Sequence, residues 1–341
     1  MLSRPILLEG SPGVGKTSIV SALAVESGYG VTRINLSEQT DVSDLFGADL
    51  PVEGGGGGCF EWKDGPLLVA LKLGHWVILD ELNLASQPVL EGLNSAFDHR
   101  GELFIPELNK VFDIGSSGTR FFACQNPLAQ GGGRKGLPKS FLNRFTQVYC
   151  DELTGQDIMA ILSAQFGSNP RLELYVKLNQ LIDSNKSKFG YIGGPWEFNL
   201  RDLTRFLELT QSFTDYEAFY LIYMARMRSK SDRELLCDIY NRIFGEIQTP
   251  NDPFTGEMTL NNDALKFDKF SIVRKFEKRN SSNLAPPLID AEFAKCVEKI
   301  LLGIERGWMV QLVGEAGSGK SSLLQCCADL IGKELRLMTL S

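Results

Sequence analysis

Gly10-Ser11-Pro12-Gly13-Val14-Gly15-Lys16-Thr17 is the stretch whose reading decides the fold. It fits the G-x-x-x-x-G-K-[ST] spacing of a P-loop, which joins a buried strand to a helix. Glycines at 10, 13 and 15 let the backbone curl until successive N–H groups converge on phosphate oxygens, and the positive end of the helix dipole adds to them. Lys16 is placed to pair the β- and γ-phosphates, and the Thr17 hydroxyl to ligate Mg²⁺. The spacing recurs 304 residues later as Gly314-Glu315-Ala316-Gly317-Ser318-Gly319-Lys320-Ser321, and Leu8 to Ser37 aligns without a gap on Leu312 to Ser341. This internal repeat reads as one complete unit and the opening of a second, so a fragment of a longer tandem array is expected.

Downstream of the first P-loop, short apolar runs alternate with amphipathic segments, the pattern of a parallel sheet flanked by helices. Strands are expected at Pro5 to Leu8, Val31 to Asn35, Trp76 to Leu79, Arg120 to Ala123 and Thr146 to Tyr149, with helices starting near Lys16, Gly65, Gln87 and Lys139. From Thr154 to Phe244 helical periodicity takes over. The expected helices are Gln156 to Phe166, Leu172 to Ile182, Leu200 to Thr210, Glu217 to Met227 and Glu234 to Phe244. The resulting division is an α/β nucleotide-binding subdomain over 1–150, a helical subdomain over 151–248, a polar linker over 249–288 and the start of a second unit over 289–341. That second start begins with a strand at Met309 to Val313.

Composition narrows the classes of function. Among 341 residues, 43% are hydrophobic and 23% charged, which is ordinary for a globular chain. The longest apolar run, Ala218 to Ala225, has eight residues, far below the roughly 20 of a membrane-spanning helix. The net charge of −7 is spread among interspersed acids and bases, so direct nucleic-acid binding is not expected. The basic run Arg274 to Arg279 reads as a solvated segment. Seven cysteines form no C-x-x-C pair, and His75 and His99 have no partner set around them, so neither structural zinc nor redox chemistry is expected. Cys326-Cys327 read as small buried residues of a helix.

Two further strand ends carry chemistry. Trp76-Val-Ile-Leu-Asp80-Glu81 delivers two carboxylates to the C-terminal edge of the sheet, where open α/β sheets bind ligands. Asp80 is the expected Mg²⁺ partner, direct or through a water, and Glu81 the group that orients the attacking water. Arg120-Phe-Phe-Ala-Cys-Gln125-Asn126-Pro127 ends in an amide that could reach a γ-phosphate or the water, although Asn-Pro is also an ordinary turn opener. Arg144 precedes the last strand, where it could equally make a salt bridge on a surface helix.

The order of P-loop, Asp80-Glu81, Asn126, Arg144 and Arg201 resembles the AAA+ ATPases, with the helical region as their lid. The stretches Ser37 to Gly47, Asp64 to Leu68, Gly74 to Ser86, Gln125 to Pro127 and Gly131 to Thr146 are similar to the midasin family within them. That resemblance implies ATP and Mg²⁺ as ligands and ATP hydrolysis as activity. Asn126 would be the sensor-1 residue, Arg201 the sensor-2 arginine, and Arg144 an arginine finger acting in trans on a neighbouring unit. It also implies an insertion within helix 2 over Leu50 to Trp62, including the run Gly54 to Gly58, and a hairpin over Glu102 to Ile114. The implied partners are neighbouring AAA+ units of the same longer chain, pre-60S ribosomal particles and their assembly factors, in the nucleus. Other readings that fit the site are a structural nucleotide-binding unit without turnover and a bacterial-type MoxR or chelatase ATPase.

Overall fold

The computed structural model describes residues 4–51, 60–98, 101–105, 108–127, 136–190, 194, 196–246, 248–261, 263–274 and 290–338. The chain divides into two compact units, Met1–Asp157 and Ile158–Ser341.

The first unit is built on five parallel strands: β1 (Ile6–Gly10), β2 (Val31–Asn35), β3 (Trp76–Asp80), β4 (Phe121–Gln125) and β5 (Thr146–Cys150), in the order β2-β3-β4-β1-β5. Its main helices are α1 (Lys16–Glu26), α2 (Pro66–Leu73) and α3 (Gln87–Ala96). Successive residues of β3 alternate between two cores, as strand geometry requires. Trp76 and Ile78 pack with Val20 and Ala24 of α1 and with Phe122. Val77 and Leu79 pack with Leu67, Leu68, Val89 and Leu93 of α2 and α3. Helices therefore cover both faces, and β3 is buried along its whole length. All five expected strands are present, each within two residues at its ends.

Two antiparallel hairpins decorate this unit. Glu102–Ile105 pairs with Lys110–Asp113, as expected for the segment before β4. Gly47–Pro51 pairs with Phe60–Asp64 at the ends of the insertion implied for Leu50 to Trp62. The glycine run Gly54 to Gly58 lies outside the described residues, as do His99 and Cys59. His75 packs beside Thr32, its Nδ1 lying 3.1 Å from the threonine hydroxyl.

The second unit continues with α4, which starts at Gly155 and ends at Phe166, then α5 (Leu172–Ser184), α6 (Leu200–Thr210), α7 (Asp215–Ile222) and α8 (Lys230–Phe244). Capping boxes start α6 at Asn199 and α7 at Thr214. Fully buried Tyr223, Tyr240, Phe206 and Phe219 fill the core between these helices. The helix expected over Glu217 to Met227 stops at Ile222 and gives way to a 3₁₀ turn over Met224–Arg226.

Two expectations are corrected. The stretch read as a linker contains a three-stranded antiparallel sheet: β6 (Thr259–Leu260), β7 (Ala264–Lys266) and β8 (Ser271–Val273). It packs Leu265 and Phe267 against α9 (Ala291–Glu305) and α10 (Lys320–Ile331). Strands of two or three residues are too short to show a period of two in sequence. Met309 to Val313, expected as a strand, forms none: no described segment pairs with it. Of the basic run, Arg274 is described and structural: its guanidinium donates to the Leu330 and Asn261 carbonyls at 2.7 and 2.8 Å. Residues 275–279 lie outside the description.

Candidate functional site

The first P-loop leaves the C-terminal end of β1, between β4 and the edge strand β5. Gly10 lies against β5 so closely that a Cβ there would stand 2.5 Å from the Cys150 carbonyl oxygen, so only glycine fits. Gly13 and Gly15 both have φ of 85°, the left-handed conformation that turns successive N–H groups inward. Helix α1 then begins at Lys16 with its N-terminal amides facing the loop.

Strand alternation puts Asp80 on the same face of β3 as Ile78, next to the first turn of α1. The Thr17 hydroxyl donates to Asp80 Oδ1 at 3.1 Å. Two oxygens at this separation match the edge of an octahedral shell around Mg²⁺, about 2.9 Å for Mg–O bonds of 2.0–2.1 Å. The pair therefore fits a magnesium ion, with waters and phosphate oxygens completing the shell. On the other carboxylate oxygen, Oδ2, sits the Arg33 Nε from β2. Arg33 was not among the residues singled out in the sequence.

One step past β3 the backbone turns sharply. Glu81 has φ of 56° and ψ of 45°, left-handed values that a side-chain-bearing residue adopts at a cost of about 1–2 kcal/mol. The turn brings its carboxylate to Asn126, whose Nδ2 donates to Glu81 Oε1 at 2.7 Å. The Asn126 Oδ1 accepts from Lys16 Nζ at 3.0 Å, so one amide links the ammonium to the carboxylate. Asn126 is itself fixed by the buried Asn83, whose Nδ2 donates to its carbonyl at 2.9 Å. Lys16 also donates to the carbonyls of Gly10 and Ser11 at 2.7 and 3.0 Å. A phosphate oxygen entering the loop competes with these three acceptors for the ammonium.

Burial lowers the Lys16 ammonium below its ordinary value, opposed by nearby acids that include Glu81 and Asp80. Burial beside Asp80 pushes the Cys124 thiol up to about 12, so this cysteine stays protonated at neutral pH and is packing rather than a nucleophile.

The other expected residues are placed as follows. Arg144 precedes β5 at the N-terminal edge of the sheet, a strand length or roughly 15 Å from the P-loop edge. Its Nη1 donates to the Asn94 carbonyl at 3.0 Å and lies 3.6 Å from Asp98, at the C-terminal end of α3. It cannot serve the site of its own unit. Arg201 is exposed in the first turn of α6, in the second unit. The second P-loop repeats the local geometry of the first. Gly317 and Gly319 have φ of 81° and 80°, and Lys320 Nζ donates to the Gly314 and Glu315 carbonyls at 2.9 and 2.6 Å. Among the described residues of its unit, no strand brings it a pair of acids.

Comparison with known proteins agrees with this architecture. The family described as "AAA domain (dynein-related subfamily)" matches residues 5–145, and that described as "Midasin AAA lid domain" matches residues 157–246. Midasin of Dictyostelium discoideum is 44% identical over 98% of this chain, and midasin of Giardia intestinalis 40% identical over 97%. The chain spans 6% and 7% of the length of these two relatives. An uncharacterized protein of Staphylococcus saprophyticus is 26% identical over 52% of this chain and 68% of its own length.

Proposed function

We propose, from the premise that this chain belongs to the midasin family of dynein-related AAA proteins, that its first unit binds Mg·ATP and hydrolyses it. The observation that carries this reading is the link from Lys16 through Asn126 to Glu81, beside the Thr17–Asp80 pair. It sets a phosphate-binding cation, a polar relay and a general base in one line at the sheet edge.

In this reading the loop amides and Lys16 bind the β- and γ-phosphates, while Thr17 and Asp80 hold Mg²⁺. The bound ion neutralises charge that develops on the phosphate oxygens. When the γ-phosphate draws Lys16 and Asn126 to itself, Glu81 is freed to accept a proton from the attacking water. Asn126 then keeps one hydrogen bond on the phosphate and one on the attacking water. Arg144, at the opposite edge of the sheet from the P-loop, would leave its Asn94 and Asp98 contacts to serve a neighbouring unit as a finger in trans. Arg201 would report the γ-phosphate to the helical lid. In the full-length relatives' setting, we extend this to remodelling of pre-60S ribosomal particles in the nucleus, with release of assembly factors.

Retention of ATP by the purified chain with Mg²⁺, compared with Lys16→Ala, tests the binding step. Phosphate release compared with Glu81→Gln tests hydrolysis. A second reading, a nucleotide-binding unit without turnover, draws on the Asn126 hydrogen bond that engages Glu81. Equal phosphate release from the chain and Glu81→Gln would favour it.

A further inference from the structure

Arg33 enters the site from the side of the sheet. Its strand, β2, is the outer one beside β3, where a charged side chain ordinarily serves to discourage further strand pairing. Two observations set Arg33 apart from that role. In the register its Cα partner is Ile78, which packs towards α1, so Arg33 shares a face with Asp80 two residues further on. Its Nε donates to Asp80 Oδ2, and the Asp80 side chain is 9% exposed while that of Arg33 is 55% exposed. The guanidinium thus reaches in from solvent to a buried acid.

The two oxygens of Asp80 are thereby divided. Oδ1 accepts from the Thr17 hydroxyl at 3.1 Å, whereas Oδ2 stands 3.5 Å from that hydroxyl and takes Arg33. Lys16 is engaged elsewhere, donating to Gly10, Ser11 and Asn126. Among the described residues, Arg33 is therefore the cation hydrogen-bonded to Asp80. The division matters because Mg²⁺ demands near-ideal octahedral geometry. A carboxylate held by neither oxygen can rotate away from the Thr17 edge or offer both oxygens at once.

We propose that Arg33 is a positioning residue for the divalent cation: by holding Oδ2 it fixes the plane of the Asp80 carboxylate and reserves Oδ1 for the ion beside Thr17. This rests on the nucleotide-binding reading above and deepens it. Arg33 acts through Asp80 and is not itself a ligand. Partners that orient a ligating side chain are typically worth 10–100-fold in metal affinity. Because the Arg33 side chain is more than half exposed, removing it opens no cavity in the core.

The probes are ADP and Mn²⁺, so that no turnover is needed. ADP retention by the complete chain is measured in EDTA and across an Mn²⁺ titration, with bound Mn²⁺ followed by electron paramagnetic resonance. In Arg33→Ala the Mn²⁺ affinity of the ADP complex should fall by about tenfold or more. ADP retention in EDTA, held by the loop amides and Lys16, should stay at the native level. Arg33→Lys, which keeps a cationic donor for Oδ2, should recover most of the loss. Native-like Mn²⁺ titration of Arg33→Ala overturns the proposal and leaves the nucleotide reading standing. So does an equal loss of ADP in EDTA, the mark of a damaged loop, or an Arg33→Lys chain no better than Arg33→Ala. A native chain that retains no ADP in either condition overturns the nucleotide reading and this proposal with it.

Discussion

The side-chain amide of Asn126 donates to Glu81 at 2.7 Å while its carbonyl accepts from Lys16. The polarity of that amide is fixed by its two neighbours, because an ammonium can only donate and a carboxylate only accept. Asn126→Asp replaces a donor facing Glu81 by a second carboxylate. Phosphate release should fall by about 10²-fold or more, while Mg·ATP retention, held by the loop amides and Lys16, survives. Equal turnover in a steady-state phosphate assay would remove Asn126 from the relay.

Glu81→Gly exchanges a strained residue for one that accepts left-handed backbone without penalty. Set against Glu81→Ala, which loses the same Asn126 hydrogen bond, the glycine variant should be more stable by about 1 kcal/mol, or roughly 2–4 °C in melting temperature. Phosphate release should be lost in the same variant, since the proposed base is gone. A glycine variant melting no higher than the alanine one would mean the φ of 56° at Glu81 carries no strain.

Tyr223→Phe in the second unit removes the hydroxyl that donates to Asn179 Oδ1 at 3.0 Å inside the helical core. The buried amide oxygen is left without that donor, at a cost of about 1–3 kcal/mol. Urea unfolding followed by tyrosine and tryptophan fluorescence measures it, and a loss below the fitting error refutes the assignment.

Acid stability of the second unit should depend on Glu217. Burial works to raise this carboxyl's pKa, but hydrogen bonds from Lys269 and Thr214 outweigh it and leave the value below the ordinary one. Because the folded state then binds its proton less readily than the unfolded chain, the stabilisation is present above the ordinary glutamate range. It is lost as pH falls through the lowered folded value. Melting temperatures from pH 6 to 3 should drop less steeply in Glu217→Gln than in the native chain, and parallel curves would contradict the linkage.

The sheet was legible because its strands are short, apolar and fenced by glycine and polar turns, and the P-loop fixed which edge binds. Asp80, Glu81 and Asn126 followed from that edge. Arg33 escaped notice because its meeting with Asp80 depends on β2 lying next to β3, and strand order is set by packing rather than by any local pattern. The left-handed turn at Glu81 was equally hidden, since glutamate does not announce such a conformation. Met309 to Val313 shows the converse: an apolar run with strand character forms no strand where no described segment pairs with it.

The placement of Arg144 at one rim of the sheet and the P-loop at the other gives the unit a front and a back. If each unit lends this guanidinium to the next, as proposed, the units would have to line up in a single direction. An open row would then waste the donor at one end and starve the acceptor at the other, whereas closure into a circle would leave no member unserved.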